Sequence, residues 1–147
     1  MNDIEKSWID SYIEKFLLEI EKTSMSKSYK IPVLKSFIGN KKLIEKVSLE
    51  KIGEEFMKYY KNNKIHQKDL NNKKHKGWEN WDIERFKKEA KNNPIKFLNK
   101  TEYFYYDEIN KEFRLSDDVI KKNSEILKNH FADIVKFKSI NYFARRY

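Results

Sequence analysis

Cysteine is absent from this chain of 147 residues, which excludes disulfides and cysteine-based zinc sites. Glycine and proline are scarce, with three and two copies, so turns are few and helices should dominate. No run approaches 18 consecutive apolar residues, so nothing reads as a membrane span. The opening MNDIEKSWID lacks the basic start and apolar core of a signal peptide. These absences predict a cytoplasmic protein. Phosphate-cradling loops of the GxxxxGK[ST] or GxGxxG type cannot be built from Gly39, Gly53 and Gly77. A GxSxG elbow is also missing. The three histidines, His66, His75 and His130, show no HxH or HExxH spacing. No metal or cofactor is therefore expected. Glu89-Ala90-Lys91 and Glu112-Phe113-Arg114 have the form of a nuclease ExK, but that chemistry needs a further acid on a larger sheet. The chain reads as a non-enzyme.

What is present is an aromatic, basic chain. Ten Phe and nine Tyr provide ample material for a core and argue against disorder. Lys and Arg outnumber Asp and Glu by 32 to 23, a net charge of +9, which favours nucleic acid or an acidic protein as partner. Charges of both signs fill the chain, and its wealth of Lys, Asn and Ile also suits an AT-biased genome.

The chain reads as a single domain over 1–147. It comprises a bracing helix (1–22), a helix pair (26–60), a basic loop (61–77), further helices (78–100), a hairpin (102–116) and closing helices (117–147). The bracing helix is expected over 3–21, N-capped by Asp3. Ile4, Trp8, Ile9, Tyr12, Ile13, Phe16, Leu17 and Ile20 lie at helical spacing on one face. That face should pack on the closing helix and complete the core, or else form a homodimer seam. In the helix pair, Ile31, Leu34, Phe37 and Ile38 mark the first helix, with Gly39-Asn40 as its stop. Ser48 should N-cap the second, with Val47 and Ile52 as a hydrophobic staple and Leu49, Ile52, Phe56 and Tyr59 as the buried stripe. Gly53 interrupts that stripe and suggests close helix approach. The pair fits either a helix-turn-helix or two core helices.

Residues 61–76 hold six lysines against one aspartate, and only Ile65 and Leu70 are apolar. This stretch reads as a mobile basic loop, either a solvated insertion or a phosphate-tracking arm built on Lys64, Lys68, Lys73, Lys74 and Lys76. Trp78 and Trp81 should anchor the return. A helix capped by Asp82 or Asn80 should follow through about Lys91, with Ile83, Phe86 and Ala90 inward. Asn92-Asn93 should stop it, and Pro94 should open a short helix with Ile95, Phe97 and Leu98 in the core. In 102–116, Tyr103 to Tyr106 and the alternating Phe113 and Leu115 form a hairpin whose turn would place Asn110 at positive φ. Residues 43–47 offer a third short strand. Ser116 or Asp117 should cap a closing helix over 117–137 with Val119, Ile120, Ile126, Leu127, Phe131, Ile134 and Val135 inward. Ser139 should restart a turn that leads to the basic end Arg145, Arg146, Tyr147.

The fold class is thus mainly α with one small β-hairpin. The element order is that of a winged helix-turn-helix with added N- and C-terminal helices. The recognition position falls to the 94–100 helix or the 82–91 helix before it. Asn93, Lys96, Asn99 and Lys100 are the residue types that reach bases and phosphates. Glu54 and Glu55 make the second helix a poor reader of nucleic acid, and Asp107 and Glu108 are unfavourable in the wing, which keeps protein binding open.

The run Met25-Ser26-Lys27-Ser28-Tyr29-Lys30 before an apolar helix resembles the accessory (C-terminal) domain of bacterial DEAD/DEAH-type helicases. Such helicases occur in restriction and phage-defence loci, often with a phospholipase D-like nuclease region. SLEKIGEEFMKYY at 48–60, NPIKFL at 93–98, FRLS at 113–116 and INYFARRY at 140–147 extend the resemblance over 23–147. Its motifs are mostly core pattern. No helicase or nuclease region is present, so the catalysis of such proteins does not carry over. The resemblance implies a module that binds nucleic acid, DNA in the first instance, within a defence or helicase/nuclease assembly. The alternative is a small phage-encoded protein-binding inhibitor of a bacterial nuclease or CRISPR-type defence complex. No membrane partner is expected.

Overall fold

A computed structural model describes residues 2–8 and 11–146. Ile9, expected on the N-terminal stripe, and Tyr147, expected in the basic end, lie outside them. The chain is mainly helical around one small sheet. Its elements are α1 (Asp3–Lys6), α2 (Tyr12–Lys22), α3 (Lys30–Lys35), β1 (Lys46–Ser48), α4 (Leu49–Lys61), α5 (Ile83–Ala90), α6 (Lys96–Leu98), β2 (Phe104–Asp107), β3 (Glu112–Leu115), α7 (Asp117–Lys121) and α8 (Glu125–Arg146).

The sheet is antiparallel with order β1-β3-β2. Val47 faces Phe113 across one ladder, and Tyr106 faces Phe113 across the other. This register buries Val47, Phe104, Tyr106, Phe113 and Leu115 on one face and leaves Lys46, Tyr105 and Arg114 on the other. The third strand exists, shifted toward Ser48 from its expected place. Leu43 instead makes an isolated bridge to Ile38. In the hairpin turn, Asp107 Oδ1 accepts from the Ile109 and Asn110 amides. Lys111, not Asn110, takes the positive φ, at 53°.

Helix boundaries follow caps. Ser48, Asp82 and Ser116 each accept a backbone N–H with the side chain, as expected. The bracing helix differs. Asn2, not Asp3, is its cap, in a reciprocal capping box with Glu5. It is also two helices, because α1 ends at Ser7 and Ser11 caps α2 anew. Ile4 is exposed, while Trp8, Ile13, Phe16 and Ile20 are buried. Phe16 stacks on Phe131 of α8 at 5.9 Å between ring centroids, so α2 packs on the closing helix. Tyr12 Oη lies 2.9 Å from Ser116 Oγ and donates to the Glu102 carbonyl, which ties α2 to the base of the hairpin.

Further expectations are corrected. The first helix of the pair ends at Lys35, with Ser36 as its C-cap, before Gly39 is reached. The closing region is two helices. Asn123 leaves the helical path to clamp Leu43, donating to its carbonyl at 2.7 Å and accepting from its amide at 3.0 Å. α8 then runs through Ser139 without a restart. Finally, Asn92-Asn93 does not stop α5. Residues Lys91–Ile95 form a π-helical turn that holds Pro94 and leads straight into α6. A proline inside an α-helix clashes with the carbonyl four residues back. The wider π-turn accommodates the ring, so residues 83–98 make one rod. The extra residue rotates the face beyond it. Phe97, expected in the core, is therefore 48% exposed, while Ile95 and Leu98 are buried.

Candidate nucleic-acid interface

α4 and α5 pack closely at Gly53. A Cβ there would stand 2.5 Å from Lys87 Cγ and 3.3 Å from Ile83 Cδ1. This approach fixes the rod against the helix pair and leaves its far side free. Lys88, Asn92, Lys96 and Lys100 are all exposed along it. Lys87 is engaged by Glu84 and Glu50, and Lys91 by Glu108. Among the described residues, Lys88, Lys96 and Lys100 enter no ion pair. Between Lys87 and Lys100 the one carboxylate is Glu89, which is buried. From Lys88 to Lys100 the exposed side of the rod is thus cationic and free of acids, while Glu84, one turn earlier, is exposed and pairs with Lys87.

Glu89 is neutralised by the loop expected to lack order. His75 Nε2 lies 2.6 Å from Glu89 Oε1, and Arg85 Nη1 donates to Glu89 Oε2 at 3.1 Å. Burial alone pushes the Glu89 carboxyl up, but the His75 hydrogen bond and charge, with Arg85, outweigh it and hold it below the usual carboxylate range. Asn72 Oδ1 accepts from both the His75 amide and its Nδ1, at 3.0 and 2.8 Å. Both ring nitrogens therefore meet oxygen acceptors. The ring is also buried, which makes His75 a structural link between this turn and α5. Arg85 lies 4.3 Å over the Trp81 ring, so both tryptophans anchor this corner, with Trp78 buried.

The rest of the loop is anchored as firmly. Asp69 is fully buried, accepting from the Ser28 amide at 2.9 Å and from Tyr142 Oη at 3.0 Å. Leu70 is buried beside it. His66 is stacked between Tyr59 and Phe143, at 3.9 and 4.6 Å. Short 3-10 turns at His66–Asp69, Lys73–His75 and Trp78–Asn80 replace the expected mobile loop. Gly77, at φ 81°, takes the left-handed conformation between the last two. The physical reason is that a stretch poor in apolar residues is ordered here by buried polar partners far away in sequence.

The sequence-predicted lysines fall into two groups. Lys73, Lys74 and Lys76 are exposed on the turn that His75 pins to α5, beside the rod. Lys64 and Lys68 are exposed on the turn that His66 pins to α4 and α8. On the rod, Lys96 and Lys100 are exposed, and Lys100 Nζ sits 5.1 Å over the Phe97 ring. Asn93 is half-buried and lines a cleft with Phe97. Asn99 is committed elsewhere, because its Oδ1 accepts from the Tyr106 amide at 2.9 Å and holds the edge of β2. Sequence reasoning missed Lys88 and Asn92. The four-residue spacing from Lys88 to Asn92 to Lys96 was a usable signal, hidden by the assumption that Asn92 ended the helix.

Among the described residues no group of three or more metal-ligating side chains is gathered, and no helix is long and apolar enough to cross a membrane. Comparison with models of protein families, with curated proteins and with solved structures finds no match to this chain.

Proposed function

We propose that this chain is a non-enzymatic, winged-helix-like module that binds nucleic acid, DNA in the first instance, within a defence or helicase/nuclease assembly. The observation that carries the reading is the run of unpaired exposed lysines Lys88, Lys96 and Lys100 along the rod and just past its end, with Lys73, Lys74 and Lys76 beside it. Support for the winged-helix part comes from topology. β1 lies between α3 and α4 and pairs with β3, so the hairpin extends a sheet anchored between the two helices of that pair, the first two of a winged helix-turn-helix. The rod then stands third, in the recognition position. The assembly part rests on the resemblance to helicase accessory domains. Lysines without carboxylate partners gain most from phosphate, because binding it releases condensed counterions at no cost in broken ion pairs.

The test is binding of a duplex and of a single strand as salt rises from about 50 to about 200 mM. Log K should fall linearly with log salt. Failure to bind either at the lower salt sinks the reading.

A second reading, a protein-binding inhibitor of a nuclease complex, is favoured by Phe137 and Ile140 on α8, which are 69% and 60% exposed. Affinity capture from the native host would then retain a stoichiometric nuclease or helicase after nuclease digestion, and Phe137→Glu would lose it.

A further inference from the structure

A cleft of about 370 Å³ opens between the 23–30 loop and the start of α6. Its walls include Met25, Lys27, Lys30, Asn93 and Phe97. A second cleft, of about 270 Å³, lies toward the end of α8, lined by Met25, Lys138, Asn141, Tyr142, Arg145 and Arg146. Met25 belongs to both, so they adjoin. No carboxylate lines either one. The two form a track from Arg145 and Arg146 past Met25 to Phe97, and Lys96 and Lys100 flank Phe97 in sequence.

The track combines cations with one exposed aromatic ring, Phe97, whereas Tyr142 is buried with its hydroxyl bonded to Asp69. Phe97 is 48% exposed, unusual for phenylalanine, and the Lys100 ammonium sits over its ring. The Arg146 guanidinium lies 4.9 Å over the Tyr142 ring. Lys30 donates to Thr23 Oγ1 and the Ser24 carbonyl, which holds the loop that forms the opposite wall. Burial pushes the Lys30 ammonium down, Glu19 pulls it back up, and nearby Lys138 pushes it down further. Glu19 acts on Lys30, and Glu21 on Lys138, so these two ammonium groups hold the loop while the free cations of the track are at its two ends. Duplex nucleic acid presents phosphates but keeps its base faces stacked, so it cannot use an exposed ring in a cleft. An unpaired strand presents both, and a base–aromatic stack is tolerant of sequence because every base has a π-face. The larger cleft falls within the usual 300–1,000 Å³ of small-ligand pockets.

We propose that this track binds an unpaired nucleic-acid strand, with one base stacked on Phe97 and its phosphates running between Lys96 and Lys100 on one side and Arg145 and Arg146 on the other. The inference rests on the nucleic-acid reading above and narrows it to single-stranded ligand. The bound base also meets Asn93, whose amide supplies one donor pair and one acceptor to a base edge.

The experiment measures fluorescence anisotropy with a labelled single-stranded oligonucleotide of about 12 nucleotides, within the usual footprint of such sites, and with a blunt duplex of the same length. The wild-type chain should prefer the single strand. Phe97→Ala should weaken single-strand binding by roughly five- to 150-fold, the loss of one base–aromatic stack. Duplex binding should be unchanged, and Phe97→Tyr should restore the single-strand affinity. An unaltered melting temperature shows that the exposed ring is not structural. Equal binding of single strand and duplex, with Phe97→Ala weakening neither, overturns the track while leaving the basic rod as an interface. Binding of neither at low salt overturns both.

Discussion

Glu89 is buried, with the Arg85 guanidinium 3.1 Å from one carboxylate oxygen and His75 Nε2 2.6 Å from the other. Removing one partner of a buried ion pair strands the other charge, typically at a cost of about 3–5 kcal/mol. Glu89→Gln should therefore destabilise the protein strongly near neutral pH, read as a lowered denaturation midpoint. The sign with pH follows from the direction of the shift. The folded carboxyl lies below its ordinary value of 4.5, so its stabilisation is present above that value. It is lost as pH falls through the lower folded value. Denaturation curves of the wild type and Glu89→Gln should converge in acid and separate above pH 4.5. Gly53 makes a second residue-scale case. Helix propensity alone favours Gly53→Ala by about 1 kcal/mol. The new Cβ would stand 2.5 Å from Lys87 Cγ, near the stem of that side chain rather than its free end. Overpacking of this kind costs about 1–3 kcal/mol, so the variant should have a lower, not higher, melting temperature.

The elements show how locally encoded pieces are joined. α2 carries an amphipathic face whose Phe16 is fully buried between Tyr103, Phe104 and Phe131. Phe16→Ala should cost about 3–5 kcal/mol, the range for deleting a core phenylalanine. Because its ring partners lie on β2, the hairpin base and α8 of the same chain, the loss should not vary with protein concentration. A concentration-dependent melting temperature would place this face in a dimer seam instead. The rod of α5, π-turn and α6 is the other element with a consequence. The π-turn turns Phe97 outward and, one residue later, Leu98 inward. π-turns often mark functional sites, and here the turn sets which side chains the rod presents to solvent.

Across the molecule, charge is arranged rather than merely abundant. Glu55 and Glu50 of α4 engage Lys51 and Lys87, Glu108 of the hairpin turn engages Lys91, and Glu89 is buried. Lys73, Lys74 and Lys76 are exposed on a turn anchored to α5 by His75. Reversing all three to glutamate should weaken nucleic-acid binding alike for every sequence. The salt dependence should flatten by about one unit of slope for each lysine that had held a phosphate. A filter-binding series in rising salt checks this. Selective weakening on one sequence would assign these lysines to base reading instead.

The sequence by itself determined the pieces whose physics is local. Ser48, Asp82 and Ser116 were legible as caps because a cap bonds an amide two or three residues away. The stripe of α4, the hairpin, and the packing need of the N-terminal face were legible because periodicity is written within a few turns. The tertiary structure alone decided the rest. Asp69 finds Ser28 and Tyr142, and His75 finds Glu89, across 41, 73 and 14 positions of sequence, so a lysine-rich stretch that cannot order itself is ordered by others. Asn99 looked like a base reader but is taken by the amide of Tyr106. Phe97 looked like core, yet the π-turn around Pro94 turned it outward. In each case the deciding partner, or the backbone geometry that selects it, lies outside the window of residues from which a cap or a stripe is read.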